Sequence, residues 1–318
     1  MKHLYIIGNG FDIFTGLRTS YANFREWLQY SYPFIYEDLC ATYEMDGEWW
    51  NDFETQLGKL DVKRYIKKFA APPKSESEIK KMIEEKRSFA EKNGFPPAPL
   101  PCLYATRLRG LFDVLQYCFE RWIEQTMSII FSPHYTQIEK NDSYFINFNY
   151  TDVLQWLYSI KDEQILFIHG RASKHEHLVF GHNSYHLGTM MSYDEEQTAI
   201  ELDHHHKNPY EHILKYDKLP SILEDVEYVH VYGFSISDID EGYLDWIEMN
   251  TPQTSRWEFS WYSEKDKERI DQFVFNHWSL KNRYSLMQLQ EISREEARAD
   301  QKGEIERTIS NRSPNHQL

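Results

Sequence analysis

The chain has 318 residues, 41% of them apolar and 16% aromatic, including 9 Trp, 22 Tyr and 19 Phe. This composition excludes a disordered chain and gives room for about two domains, or one large α/β domain with an insertion. Against 50 acidic side chains stand only 35 basic ones, and the net charge of −15 makes nucleic acid a poor partner for the surface as a whole.

Met1-Lys2-His3 leads into an apolar run too short for the core of a signal peptide, and no stretch approaches the roughly 18 apolar residues of a membrane span. A cytoplasmic protein without a membrane partner is expected. Cys40, Cys102 and Cys118 lie far apart with no Cys-x-x-Cys pair. Neither a disulfide framework nor a zinc ribbon is expected, and the cysteines read as small buried hydrophobes.

In chain order, residues 3–7 form a β-branched and aromatic run that stops at Gly8-Asn9-Gly10, as a buried strand does on entering a tight turn. Helical periodicity follows over 22–30, 50–60 and 103–130, and proline clusters bracket a charged helical stretch over 75–92. Further strands are expected at 144–148, 165–168, 228–232 and 257–261, with helices over 152–160 and 238–249. Alternating strands and helices predict an α/β fold with a doubly wound, mostly parallel sheet. About 135 residues separate the first two strands, far more than a crossover needs, so they fold as a large helical insertion. Residues 1–21 and 136–290 then make the α/β core, 22–135 the insertion and 291–318 a polar tail, frayed from Arg294 onward.

Several strand ends carry groups suited to chemistry. Gly8, Asn9, Gly10, Phe11 and Asp12 sit where a strand hands over to a helix, so backbone amides can approach a pyrophosphate, although a tight turn without ligand explains the glycines equally well. A hydride-transferring enzyme is disfavoured, because Ile13 stands where the third glycine of that fingerprint belongs. Asn149, followed by Tyr150, ends the second strand and either orients a ribose hydroxyl or water, or caps the next helix. His169 ends the third strand, where Gly170 is expected to leave open space beside an imidazole acting as general base. Gly233 and Ser235 end the fourth, Ser235 as a phosphate contact, and Ser237 or Asp238 reads as the N-cap of the following helix. His204-His205-His206 invites a metal reading, but consecutive helical histidines point in different directions, so no metal is expected. The run from Trp49 to Glu54 mixes aromatics with carboxylates in the insertion; it is expected to pack against the main domain, with Asp52 or Glu54 at the cleft as the alternative, and Trp49 to Phe53 also offers a contact surface.

Taken in order, Ile6 to Asp12 with Thr19-Ser20-Tyr21, Asn147 to Thr151, His169-Gly170, Phe180-Gly181-His182, and Tyr232 to Ser235 with Asp238 and Asp240 resemble the bacteriophage abortive-infection AbiH family over roughly residues 1–265. Thr15 departs from the pattern, since that family usually shows a histidine there. More distantly, the order of glycine turn, Asn-Tyr, His-Gly and Gly-x-Ser resembles the sirtuin-type NAD-binding fold. This implies a Rossmann-type sheet in which Asn149 and His169 serve NAD hydrolysis. Gly8, Asn9, Gly10, Phe11, Asp12, Tyr150, Gly233, Ser235 and Asp238 then line the nucleotide site. True sirtuins add a four-cysteine zinc module that three scattered cysteines cannot supply.

The reading is an anti-phage effector that cleaves NAD+, its substrate, at the nicotinamide–ribose bond. The alternatives are a non-catalytic NAD or nucleotide sensor and a nucleic-acid-directed toxin. Unrestrained cleavage would poison the producing cell, so a homo-oligomer, a regulatory partner or a phage-derived trigger is expected to control it. Replacing Asn149 or His169 is expected to abolish turnover while leaving the melting temperature almost unchanged.

Overall fold

Leu4, Tyr5, Ile6 and Ile7 are all buried, because strand β1 (His3–Ile7) has a neighbour on each side. The computed structural model describes residues 1–43, 45, 49–69, 102–129, 132–189 and 191–297, with seven single positions between 77 and 92. The other strands are β2 (Ser143–Asn147), β3 (Ile165–Phe167), β4 (Tyr228–Tyr232), β5 (Arg256–Ser260) and β6 (Tyr284–Met287). They form one six-stranded sheet of order β3-β2-β1-β4-β5-β6, every pairing of which is parallel. This is the doubly wound order, whose winding direction reverses between β1 and β4; sheets of this kind take ligands outside the carboxyl ends of their strands at such a point.

Helices α1 (Asn9–Phe14), α2 (Tyr21–Ser31), α3 (Pro33–Tyr43), α4 (Phe53–Leu57), α5 (Val62–Phe69), α6 (Leu103–Met127), α7 (Val153–Tyr158), α8 (Tyr193–Asp203), α9 (Pro209–Ile213), α10 (Leu219–Leu223), α11 (Glu241–Asn250) and α12 (Glu264–Asn276) follow in chain order. Alternation along the strands supplies two cores. Leu4, Ile6, Ile146, Val229, Val231, Trp257 and Phe259 pack with residues of α9 to α12, including Ile213, Leu223, Tyr243, Ile247 and Phe273. Tyr5, Ile7, Phe145 and Tyr232 pack on the opposite face with Phe11 of α1 and Val153 and Leu154 of α7. Each fully buried large apolar side chain contributes about 1.5–3 kcal/mol. Covering both faces is what a parallel sheet requires.

The chain divides into two compact units. The first, residues 1–31, 117–180 and 207–318, contains the sheet. The second, residues 32–116 and 181–206, draws on two stretches, where one continuous insertion over 22–135 was expected. Within it Trp49, Trp50 and Phe53 are buried, with ring centroids 5.2–5.4 Å apart. These aromatics are the core of the second unit, so the expected contact surface at 49–53 is corrected. A 3-10 turn (Trp49–Asp52) precedes α4 where a single helix over 50–60 was expected. Cys102 and Cys118 are buried, Cys40 is half-buried, and all three are free thiols.

Other expectations change as well. β2, β3 and β5 end at Asn147, Phe167 and Ser260, each one residue earlier than expected, so Phe148 lies beyond β2. β6, half-exposed along its length, was not anticipated. α11 starts at Glu241 with Asp240, and neither Ser237 nor Asp238, at its N-cap. The Ser237 carbonyl first accepts the amides of Asp240 and Glu241 at 3.0 and 2.8 Å, and this turn delays the helix. At the other end, Ile292 bridges Tyr135 and Ala297 is buried, so the first part of the supposed tail is held in place. Residues 298–318, and most of the charged stretch 75–92, lie outside the described residues. No described helix is long and apolar enough to cross a membrane.

Candidate functional site

The turn after β1 and the turn after β4 touch backbone to backbone at the reversal of the sheet. Gly8 N donates to Tyr232 O at 3.0 Å and Gly10 N to Gly233 O at 2.7 Å. Gly233 N donates to Ser260 Oγ at 2.7 Å, which ties the same point to the end of β5. A Cβ on Gly8 would meet Phe234 Cα at 2.5 Å, and one on Gly10 would meet Gly233 O at 2.8 Å. Gly233 has φ +60°, and a Cβ there would fall 1.9 Å from Phe11 N. Close backbone approach therefore accounts for these glycines. The Gly10 amide is committed to Gly233 O, and the Phe11 amide donates to Gly8 O at 2.9 Å.

Around this turn lies a buried polar network. Asp12, carried inward by α1, is 1% exposed. Its Oδ1 accepts from Asn149 Nδ2 at 2.7 Å and its Oδ2 from the Thr151 hydroxyl at 2.6 Å. Asn149 Nδ2 also donates to Gly8 O at 3.0 Å, so both amide protons point into the protein and Oδ1 is the atom left to accept. Asn147 Oδ1 receives the Asn149 amide at 3.0 Å, bracing the turn beyond β2. Burial raises Asp12 from the ordinary carboxylate range to about 7, against the two donors that favour ionisation. Asn149 thus caps no helix. α7 has Asp152 at its N-cap, without a side-chain cap bond, and Asp152 instead accepts Arg171 Nε at 2.5 Å.

His169, just beyond β3, is 3% exposed. The rings of Phe148, Tyr150 and Tyr243 surround it at centroid distances of 5.4, 6.2 and 5.8 Å. Its Nε2 is buried without a hydrogen-bond partner, and Asp240 Oδ1 lies 3.9 Å away. Burial holds the imidazole well below its usual pKa, helped by the charges of Lys207 and His212, while a hydrogen bond with the Phe148 backbone works the other way. Gly170 does not open space beside it, as had been expected. With φ +86° it lies against the chain, and a Cβ there would meet His177 O at 2.5 Å.

The remaining candidates divide by exposure. Asn9, Gly10, Ser235 and Asp238 are exposed. Asn9 Nδ2 donates to Thr19 O at 2.8 Å, and Ser235 Oγ accepts Arg269 Nη1 at 3.0 Å. Tyr150 donates its hydroxyl to Val179 O at 3.0 Å. Asn149 joins Gly8, Asp12 and Thr151, whereas His169 lies with Asp240 and Lys207. Asn149 and His169 share neighbouring strand ends but no hydrogen bond. Thr15 closes α1, its hydroxyl donating to Asp12 O at 2.8 Å.

Thr151, Lys207 and Asp240 carried no expected role. Thr151 and Asp240 lie inside motifs already noted. Lys207 had no signal, since a lysine after a polar run looks solvated, yet it is 3% exposed. His204, His205 and His206 lie past the end of α8, and no helix carries them as had been expected. His205 stacks on Phe112 and His206 on Tyr185. No group of three potential metal ligands occurs among the described residues.

A search of curated proteins found no match to the chain. The family model for bacteriophage abortive infection AbiH matches residues 4–261, a span running from the glycine turn through Asn149 and His169 to the end of β5, so the chain belongs to the AbiH family.

Proposed function

We propose that this member of a phage abortive-infection family is an effector that hydrolyses NAD+ at the nicotinamide–ribose bond. The observation that carries the reading is the placement of buried Asn149 and His169 beyond the adjacent ends of β2 and β3, on the carboxyl edge of a doubly wound sheet, the edge at which such sheets take nucleotides. The order of glycine turn, Asn149, His169 and Gly233-x-Ser235 resembles sirtuin-type folds and supports it. Cleavage breaks the C1′–N bond through an oxocarbenium-like state, and nicotinamide departs neutral with the bonding electron pair, so no general acid is required. Water forms the new C1′–O bond and gives its proton to neutral His169. Asn149 Oδ1, left to accept by the commitment of Nδ2 to Asp12 and Gly8, orients the ribose or the water. With the Gly10 and Phe11 amides engaged, phosphate contacts fall to exposed Asn9 and to Ser235 with its neighbour Arg269. Gly8, Phe11, Asp12, Tyr150 and Gly233 shape the site, and exposed Asp238 lines its rim. The reaction is metal-independent. Self-association or a regulatory partner restrains it in the uninfected cytoplasm, or it stays idle until a phage-derived trigger arrives.

The tightly bonded Asn149 amide and the weakly basic His169 also favour a second reading, a sensor that binds NAD without turnover. One experiment separates the two. Purified protein is incubated with NAD+, with and without phage lysate, and nicotinamide release is measured beside the thermal shift. Release of nicotinamide and ADP-ribose supports hydrolysis. A thermal shift without release supports the sensor, and neither response refutes both.

A further inference from the structure

Lys207 presents a physical problem that the reading above leaves unsolved. Its side chain is 2% exposed and its Nζ lies 3.3 Å from Asp240 Oδ1. A buried ammonium costs several kcal/mol unless it is paired, and such pairs are commonly no more stabilising than apolar residues of the same size. The same carboxylate oxygen is 3.9 Å from His169 Nε2, a buried ring nitrogen without a hydrogen-bond partner. One oxygen thus stands between two buried nitrogens contributed by separate parts of the first unit. His169 lies beyond β3, Asp240 is the N-cap of α11, and Lys207 comes just before α9.

We infer that Lys207 and Asp240 are positioning residues for proton transfer at His169, with Lys207 fixing the Asp240 carboxylate and Asp240 compensating the charge that His169 gains at Nε2. The inference rests on the proposed role of His169 in hydrolysis. An imidazole this buried is a poor proton acceptor by itself, because the cation it forms has lost its water. A carboxylate within reach of Nε2 restores part of that stabilisation, and in low dielectric the attraction is larger than in water. Lys207 holds the carboxylate in place, and its own positive charge keeps His169 neutral until a proton arrives. The groups facing His169 are Asp240, Lys207 and His212, together with the rings of Phe148, Tyr150 and Tyr243.

Opposite charges predict opposite responses. Lys207→Met, nearly isosteric and uncharged, should shift the His169 pKa upward, and Asp240→Asn should shift it downward. Lys207→Arg, which keeps the charge, should leave it near the wild-type value. The readout is NMR titration of selectively labelled histidines in the full chain, with the His169 resonance assigned by its loss in His169→Gln. If Lys207→Met does not fold, the fall in Asp240→Asn decides. Shifts of the same sign, or none, overturn the inference. If NAD+ is cleaved, the acidic limb of kcat/KM should move with the NMR value in each variant, and a limb that stays in place also overturns it. If the wild type releases no nicotinamide while the opposed shifts are seen, hydrolysis is refuted and the charge coupling stands.

Discussion

Asp12 gives a test of the site that needs no substrate. Its carboxyl titrates at about 7 in the folded chain, against an ordinary value of 3.8. The folded protein therefore holds a proton that the unfolded chain releases between those values. Its contribution to stability is complete below pH 4, falls as pH rises, and is gone once both states are ionised above pH 7. Three units at about 1.36 kcal/mol each amount to roughly 4 kcal/mol, of which about 3 fall between pH 5 and 8. Asp12→Asn removes the titration and keeps the shape. The new amide oxygen can accept Asn149 Nδ2, and its NH2 can donate to Thr151 Oγ once that hydroxyl turns round. Urea denaturation of the wild type and the variant, followed by tryptophan fluorescence at pH 5, 6, 7 and 8, isolates the effect because other titrations are shared. The wild type should lose about 3 kcal/mol relative to Asp12→Asn over this range. Parallel pH profiles would show that burial does not govern this carboxyl, and the account of the network would fall.

Gly233→Ala should destabilise the chain by more than about 4 kcal/mol. The left-handed backbone alone costs about 1–2 kcal/mol, and the added Cβ lies 1.9 Å from Phe11 N; an unchanged thermal midpoint would contradict the close contact of the two turns. His169→Ala should reduce nicotinamide release by about 10²- to 10⁴-fold, and wild-type turnover in this variant would remove His169 from the reaction. Asn149→Ala should lose activity too, but a silent melting curve is no longer expected, because Asp12 loses a donor at a cost of about 1–3 kcal/mol; denaturation beside the activity assay checks both parts. Chelator treatment should change neither stability nor nicotinamide release, and stoichiometric zinc in tag-free protein would contradict metal independence.

The α/β class and the positions of five strands were legible because each of those strands is a short local run of β-branched and aromatic residues. Their hydrophobicity reflects burial on both faces of a parallel sheet. β6 escaped notice because Tyr284, Ser285, Leu286 and Met287 lie at the sheet edge, where half-exposed residues need no continuous apolar pattern. Asn149 and His169 were readable as strand-end polar residues, but not the direction of the Asn149 amide protons, since Gly8 and Asp12 lie about 140 positions away in the chain. Gly8, Gly10 and Gly233 suggested a phosphate turn, whereas their contact is with one another, and only the pairing of β1 with β4 brings them together. Residues 181–206 join the second unit although they follow β3, which no local periodicity encodes. Lys207 is the extreme case. Local sequence governs helix and strand preference, but whether a lysine meets water or the Asp240 carboxylate depends on how distant segments pack.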